Sequence, residues 1–106
     1  MIETSKINEI VSKIADNFNP EKIILFGSYA KNMQYKGSDL DLLIIRETNL
    51  PVYKRAIDIR LSLIGTKVPI DILVYTNSEF EQEKSDKYSF LFSALKNSKV
   101  LYERTN

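Results

Sequence analysis

The chain contains neither cysteine nor histidine. Disulfides, thiolate nucleophiles, imidazole bases and the sulfur- and nitrogen-rich sites that hold zinc are therefore excluded. Chemistry is left to carboxylates, hydroxyls, Lys and Tyr, and any resident cation is a hard one with oxygen ligands. An excess of charge is missing as well. Fifteen Lys and Arg stand against 14 Asp and Glu, a net charge of +1 that offers no strong field to nucleic acid. No apolar run is long enough to cross a bilayer, and the opening MIETSKINEI lacks the apolar region of an export signal. Neither membrane insertion nor secretion is expected, and a cytoplasmic address follows. Repeats, low-complexity tracts and linkers are absent, so residues 1–106 read as a single domain. With 43% hydrophobic and 27% charged residues, such a chain buries roughly two-thirds of its unfolded surface around one core.

The hydrophobic pattern alternates helix and strand. Ile7, Ile10, Val11, Ile14, Ala15 and Phe18 recur at helical spacing behind Thr4 or Ser5 as N-cap, and Asn19-Pro20 ends the run. Ile23-Ile24-Leu25-Phe26 is apolar on both faces and predicts a buried strand. A second strand, Asp39 to about Arg46, places Leu40, Leu42 and Ile44 on one face and Leu43 and Ile45 on the other. Thr48 to Pro51 opens a helix whose stripe of Val52, Ala56, Ile57, Arg60, Leu61 and Ile64 ends at Gly65. A crossover of this length suits a parallel neighbour, so the third strand, Ile70 to Tyr75, runs parallel to the second. Ser78-x-x-Glu81 matches a capping box ahead of a charged, solvated stretch. Tyr88, Leu91, Phe92 and Leu95 stripe a last helix, followed by a short edge strand at Val100 to Tyr102 and a tail after Glu103 expected to fray. The fold class is α/β (α+β): a three-stranded mixed sheet plus the short edge strand, packed with four to five helices.

Chemistry concentrates in LFGSYAKNMQYKGSDLDLLII. Gly27-Ser28 ends the first strand, and Asp39-Leu40-Asp41 opens the second after ten intervening residues. Residues two apart on a strand share a face, so Asp39 and Asp41 leave the sheet on the same side and together attract a cation. Gly27-Ser28 precedes a short helix, where unpaired N–H groups and a glycine suit an approaching phosphate. Each feature alone has a plainer meaning: Gly27-Ser28 as a strand-ending turn, Asp39 as a cap on the Gly37-Ser38 turn, Asp71 as the polar start of a strand. Asp41 resists that treatment, because an unpaired carboxylate inside an apolar run is costly. Gly27 and Ser28 can meet the carboxylates only if the first strand is antiparallel to the second. The sheet is then mixed, unlike folds whose ligands lie beyond the carboxyl ends of parallel strands.

The Gly27-Ser28 and Asp39-x-Asp41 spacing resembles the GSx10DxD signature of nucleotidyltransferases of the DNA polymerase beta superfamily, and the short chain is most similar to its minimal MNT-type members. The resemblance covers nearly the whole chain, since Asp71 in VPIDILVY stands where the family carries a third carboxylate and KVLYE is similar to its last segment. It implies a polymerase-beta-like core with Asp39, Asp41 and Asp71 as catalytic residues and ligands of two Mg2+ ions. Gly27 and Ser28 are then the residues that bind the triphosphate of ATP. The implied activity is antitoxic transfer of AMP from ATP to a hydroxyl, a tyrosine on a cognate HEPN-type toxin. Two other functions stay open: a non-catalytic antitoxin that neutralises its partner by binding, and transfer to a small-molecule hydroxyl with the acceptor site on another subunit. The chain is compatible with homo- or hetero-oligomers. Lys31-Asn32 departs from the Arg-Gly common in the family, and Lys31 reads either as a phosphate contact or as a solvated side chain.

Overall fold

The computed structural model describes residues 1–105. Helix α1, Thr4–Phe18, buries Ile7, Ile10, Val11 and Ile14, and Asn19 ends it in the left-handed region (φ 47°) with its N–H on the Ala15 carbonyl. Neither Thr4 nor Ser5 caps it. The N-cap is Glu3 without a side-chain bond, and just before it Ile2 N–H donates to the Tyr29 hydroxyl at 2.8 Å.

Four strands follow the expected order: β1 Lys22–Phe26, β2 Leu40–Ile45, β3 Ile70–Tyr75 and β4 Lys99–Glu103. They pair in the order β3-β2-β1-β4, with β2 parallel to β3 and β1 antiparallel to both β2 and β4. The mixed sheet is thus observed. Its two faces bury separate clusters, as period-two alternation requires. Ile23, Leu25, Leu40, Leu42, Ile44, Ile72 and Val74 pack under α1, whereas Ile24, Phe26, Leu43 and Ile45 pack with Phe80 and Leu91. Those two residues come from α4 (Asn77–Glu83) and α5 (Phe90–Leu95); α2 is the four-residue turn Gly27–Ala30 and α3 spans Ile57–Ser62. Phe90 meets Phe26 edge to face, ring centres 6.0 Å apart.

Several sequence expectations are corrected. The crossover is not one continuous helix but two 3-10 turns, Val52–Lys54 and Ile64–Thr66, flanking α3. Its buried side is Arg55, Ile59 and Leu63; Val52, Ile57, Arg60, Leu61 and Ile64 are exposed and Ala56 is half-buried. A buried arginine reversed the apparent stripe. The capping box is Thr76 with Glu79, not Ser78 with Glu81: Glu79 N–H donates to the Thr76 hydroxyl and Thr76 N–H to Glu79. Tyr88 lies outside the core, 86% exposed beside the Asp86 turn. The C-terminal tail is tied at Arg104, whose N–H and guanidinium donate to the carbonyls of Glu21 and Asn19; Asn106 lies outside the described residues. No helix among those residues is long and apolar enough to cross a membrane.

Arg55 joins three elements. Its guanidinium donates to both carboxylate oxygens of Glu79 (2.6 and 3.0 Å), and to the Val74 and Leu50 carbonyls. These bonds, with the capping bonds to Thr76, hold the Glu79 carboxyl down at about 2. A lowered carboxylate stabilises the fold above its ordinary pKa and loses that contribution as pH falls toward 2. Glu79→Ala, which also strips the cap and leaves Arg55 unpaired, is expected to cost about 2 kcal/mol at neutral pH. Urea unfolding of the two proteins between about pH 7 and pH 2 should show that difference shrink as acid neutralises Glu79 in the parent.

Candidate active site

Pairing register brings the expected residues to one end of the sheet. Phe26, the last residue of β1, lies opposite Asp41, and Asp41 lies beside Asp71 on the parallel strand. Gly27 and Ser28 begin α2 immediately past Phe26. Asp39, Asp41 and Asp71 share the parity of Leu43 and Leu73, so they belong to the sheet face that carries α4 and α5.

Gly27 is required twice over. Its φ of +74° is a conformation that side chains disfavour, and a Cβ built there collides with Asp41 Oδ2 and comes within 3.0 Å of Asp41 Cγ. The side-chain space at position 27 is filled by the aspartate, so the glycine serves the carboxylate directly; the sequence pointed instead to room for a phosphate. Asp41 is half-buried there, while Asp39 and Asp71 are exposed. Burial first, then the neighbouring Asp71 and Asp39 carboxylates, push the Asp41 carboxyl above its ordinary value.

Ser28, Asp39 and Asp41 line one cleft of about 300 Å³ together with Tyr35, Gly37 and Ser38. The last three were not singled out as site residues by their sequence. The Tyr35–Ser38 turn is locked by reciprocal bonds, Tyr35 N–H to the Ser38 hydroxyl and Ser38 N–H to the Tyr35 carbonyl, both 2.9 Å. Its Gly37 (φ +92°) needs no side-chain space but does need the left-handed backbone. Asp71 is apart from this cleft: Arg60 holds it, Nη2 to Oδ1 at 3.6 Å, and the same Nη2 donates to the Ile72 carbonyl at 3.1 Å. Arg60 carried no signal in the sequence beyond its place in a mixed stripe. Lys31 lines a different cleft with Ala30, Met33, Asn97, Ser98 and Lys99.

A divalent cation fits the Asp39–Asp41 pair on chemical grounds. All side-chain donors in the cleft are oxygens, and a carboxyl already hard to ionise beside two others gains from a neighbouring positive charge. Among the described residues no three acidic groups converge closely enough to enclose an ion.

The chain and its fold have known counterparts. Residues 8–106 match the family model described as "Polymerase beta, Nucleotidyltransferase". A Methanocaldococcus jannaschii protein named "Putative protein adenylyltransferase MJ0604" is 32% identical over 104 residues, 96% of this chain and 100% of its own length. Among solved structures, one described as "a putative nucleotidyltransferase from Sulfolobus solfataricus" superposes with a TM-score of 0.67 at 20% identity, covering 94% of this chain and 79% of that one. A chain from a crystal structure of a toxin-antitoxin with AMP-PNP gives a TM-score of 0.58 at 18% identity, covering 98% and 76%. Strands, glycine, carboxylates and family model agree: the chain belongs to the polymerase-beta nucleotidyltransferase family.

Because Asp41 ionises less readily in the folded chain than in the unfolded one, the metal-free protein loses stability as pH rises through and beyond the ordinary carboxylate range. Asp41→Asn removes that loss. In chelator, its advantage over the parent in urea unfolding should be absent near pH 3 and grow as pH rises through the carboxylate range. Gly27→Ala is expected to destabilise by about 1 to 3 kcal/mol. Part of that loss should be recovered in Gly27→Ala combined with Asp41→Gly, where the collision is gone but the positive φ remains.

Proposed function

We propose that this protein transfers AMP from ATP to a hydroxyl acceptor, a tyrosine on a HEPN-type partner protein. The observation that carries the reading is the cleft shared by Ser28, Asp39 and Asp41, with Gly27 leaving the space that Asp41 fills and Asp71 in register on the next strand. In the proposed reaction the acceptor oxygen attacks the α-phosphorus, the bond from that phosphorus to the bridging oxygen breaks, and pyrophosphate leaves. Asp71, exposed at the edge strand, takes the proton of the acceptor hydroxyl. The Ser28 hydroxyl and the N–H groups that open α2 donate to triphosphate oxygens. Asp39 and Asp41 would hold Mg2+, which when bound offsets the charge between carboxylates and triphosphate and polarises the phosphate. The names of the relatives support the class of reaction, and the presence of AMP-PNP in the toxin-antitoxin structure supports the nucleotide.

A second reading draws on the Arg60–Asp71 pair, which occupies the third carboxylate. In it the protein neutralises its partner by binding alone. Transfer to a small molecule has no such observation in its favour.

ATP is expected to bind appreciably only with Mg2+ or Mn2+; calorimetric titration giving equal affinity in excess chelator would remove the metal from the scheme. Ser28→Ala should weaken the nucleotide by about 0.5 to 3 kcal/mol, the range for a single hydrogen bond. Intact mass spectrometry tests the transfer itself. One or more AMP increments should appear on the partner with the parent protein and ATP, and none with Asp39→Asn and Asp41→Asn combined. A partner silenced equally by both proteins without any increment establishes neutralisation by binding instead.

A further inference from the structure

One large apolar surface has no cover. Val52, Tyr53, Ile57, Leu61 and Ile64, along the crossover between β2 and β3, are 71, 79, 50, 62 and 70% exposed. Ile57 and Leu61 lie one turn apart on α3, opposite the buried Ile59, and Tyr53 and Ile64 lie in the flanking 3-10 turns. Scattered exposed apolar residues need no explanation, but a run of this kind in so short a segment marks an interaction surface.

Three observations define what covers it. The first is charge. Within this segment Asp58 is bound by Arg46, Arg55 by Glu79 and Arg60 by Asp71, whereas Lys54 and Lys67 have no acidic partner among the described residues. These two lysines favour a partner that brings acidic side chains to them. The second is the edge of β3, where Arg60 donates to the Ile72 carbonyl and Arg55 lies 3.5 Å from the Val74 carbonyl. Edge acceptors already in use leave little for an added strand, so the occupant presents side chains. The third is continuity: Arg60 springs from this crossover and ends on Asp71, one side chain from the surface to the acceptor carboxylate.

We infer that this face docks the protein whose tyrosine receives AMP, through an apolar helix or loop surface rimmed by acidic side chains. The inference rests on the transfer reading above and adds to it the surface that holds the acceptor. A groove of about 430 Å³ bounded by Tyr53, Ile57, Arg60, Leu73, Tyr75 and Glu83 lets one large partner side chain seat between the crossover and α4. Docking there sets the partner beside Asp71 and gives Arg60 an alternative carboxylate to bind.

The test uses the full chain with its co-expressed HEPN-type partner. Ile57→Glu with Leu61→Glu changes only exposed positions, so melting temperature and Mg-ATP affinity should match the parent. Partner affinity is expected to fall at least tenfold and AMP transfer with it, while Lys54→Glu with Lys67→Glu weakens binding several-fold and flattens its salt dependence. Asp39→Asn with Asp41→Asn should bind the partner normally and transfer nothing. Face variants that bind and modify the partner like the parent overturn the docking surface and leave the transfer reading intact. A parent that binds through this face yet moves no AMP upholds the surface and sinks the transfer reading. Failure of the parent to bind at all removes both. Light scattering of the parent alone that gives a dimer, reduced to a monomer by Ile57→Glu with Leu61→Glu, assigns the face to a second copy and overturns the inference.

Discussion

The working end of this molecule depends on a missing methyl group. Asp41 can lie against the end of β1 only because position 27 carries no side chain, and the positive φ of Gly27 is what turns the chain away from the strand into α2. Glycine and aspartate are therefore one unit, assembled by the antiparallel pairing of Phe26 with Asp41. A carboxylate wedged against backbone, beside two others, is a costly thing to build in the absence of a cation. The large apolar clusters on both faces of the sheet supply the stability against which that local cost is set.

Arginine plays a comparable part at the other side of the sheet. β3 is an edge strand, and its exposed carbonyls would invite another chain. Arg60 donates to one of them, and Arg55 reaches toward another while gripping Glu79 at the cap of α4. Arg55 thereby ties crossover, edge and helix start together at the point where the sheet would otherwise be open. Arg60 does less for stability and more for the site, since it divides its guanidinium between the edge and Asp71.

Strand order, the mixed sheet and the convergence of Gly27 with the Asp pair were legible because period-two runs and a crossover of helical length leave few topologies. The resemblance to the nucleotidyltransferase signature pointed to the same residues, and membership of the family is borne out by the family match. What could not be read depended on contacts between distant segments. Thr76-x-x-Glu79 and Ser78-x-x-Glu81 both satisfy the capping pattern, and Arg55, twenty-one residues earlier than Thr76, decides between them. The inner side of the crossover was hidden because a guanidinium held by carbonyls and a carboxylate counts as core, though its residue type counts as surface. The pairing of Asp71 with Arg60 likewise spans two elements and has no local signature.

β3 is at once the carrier of Asp71 and the outer boundary of the sheet. In the proposed reaction this places the attacking oxygen at the rim of the sheet, whereas enzymes acting on metabolites commonly enclose them in a pit. A rim imposes no upper limit on substrate size. A folded macromolecule can present one side chain there without being unravelled, and discrimination passes from the shape of a pocket to the fit of two whole surfaces.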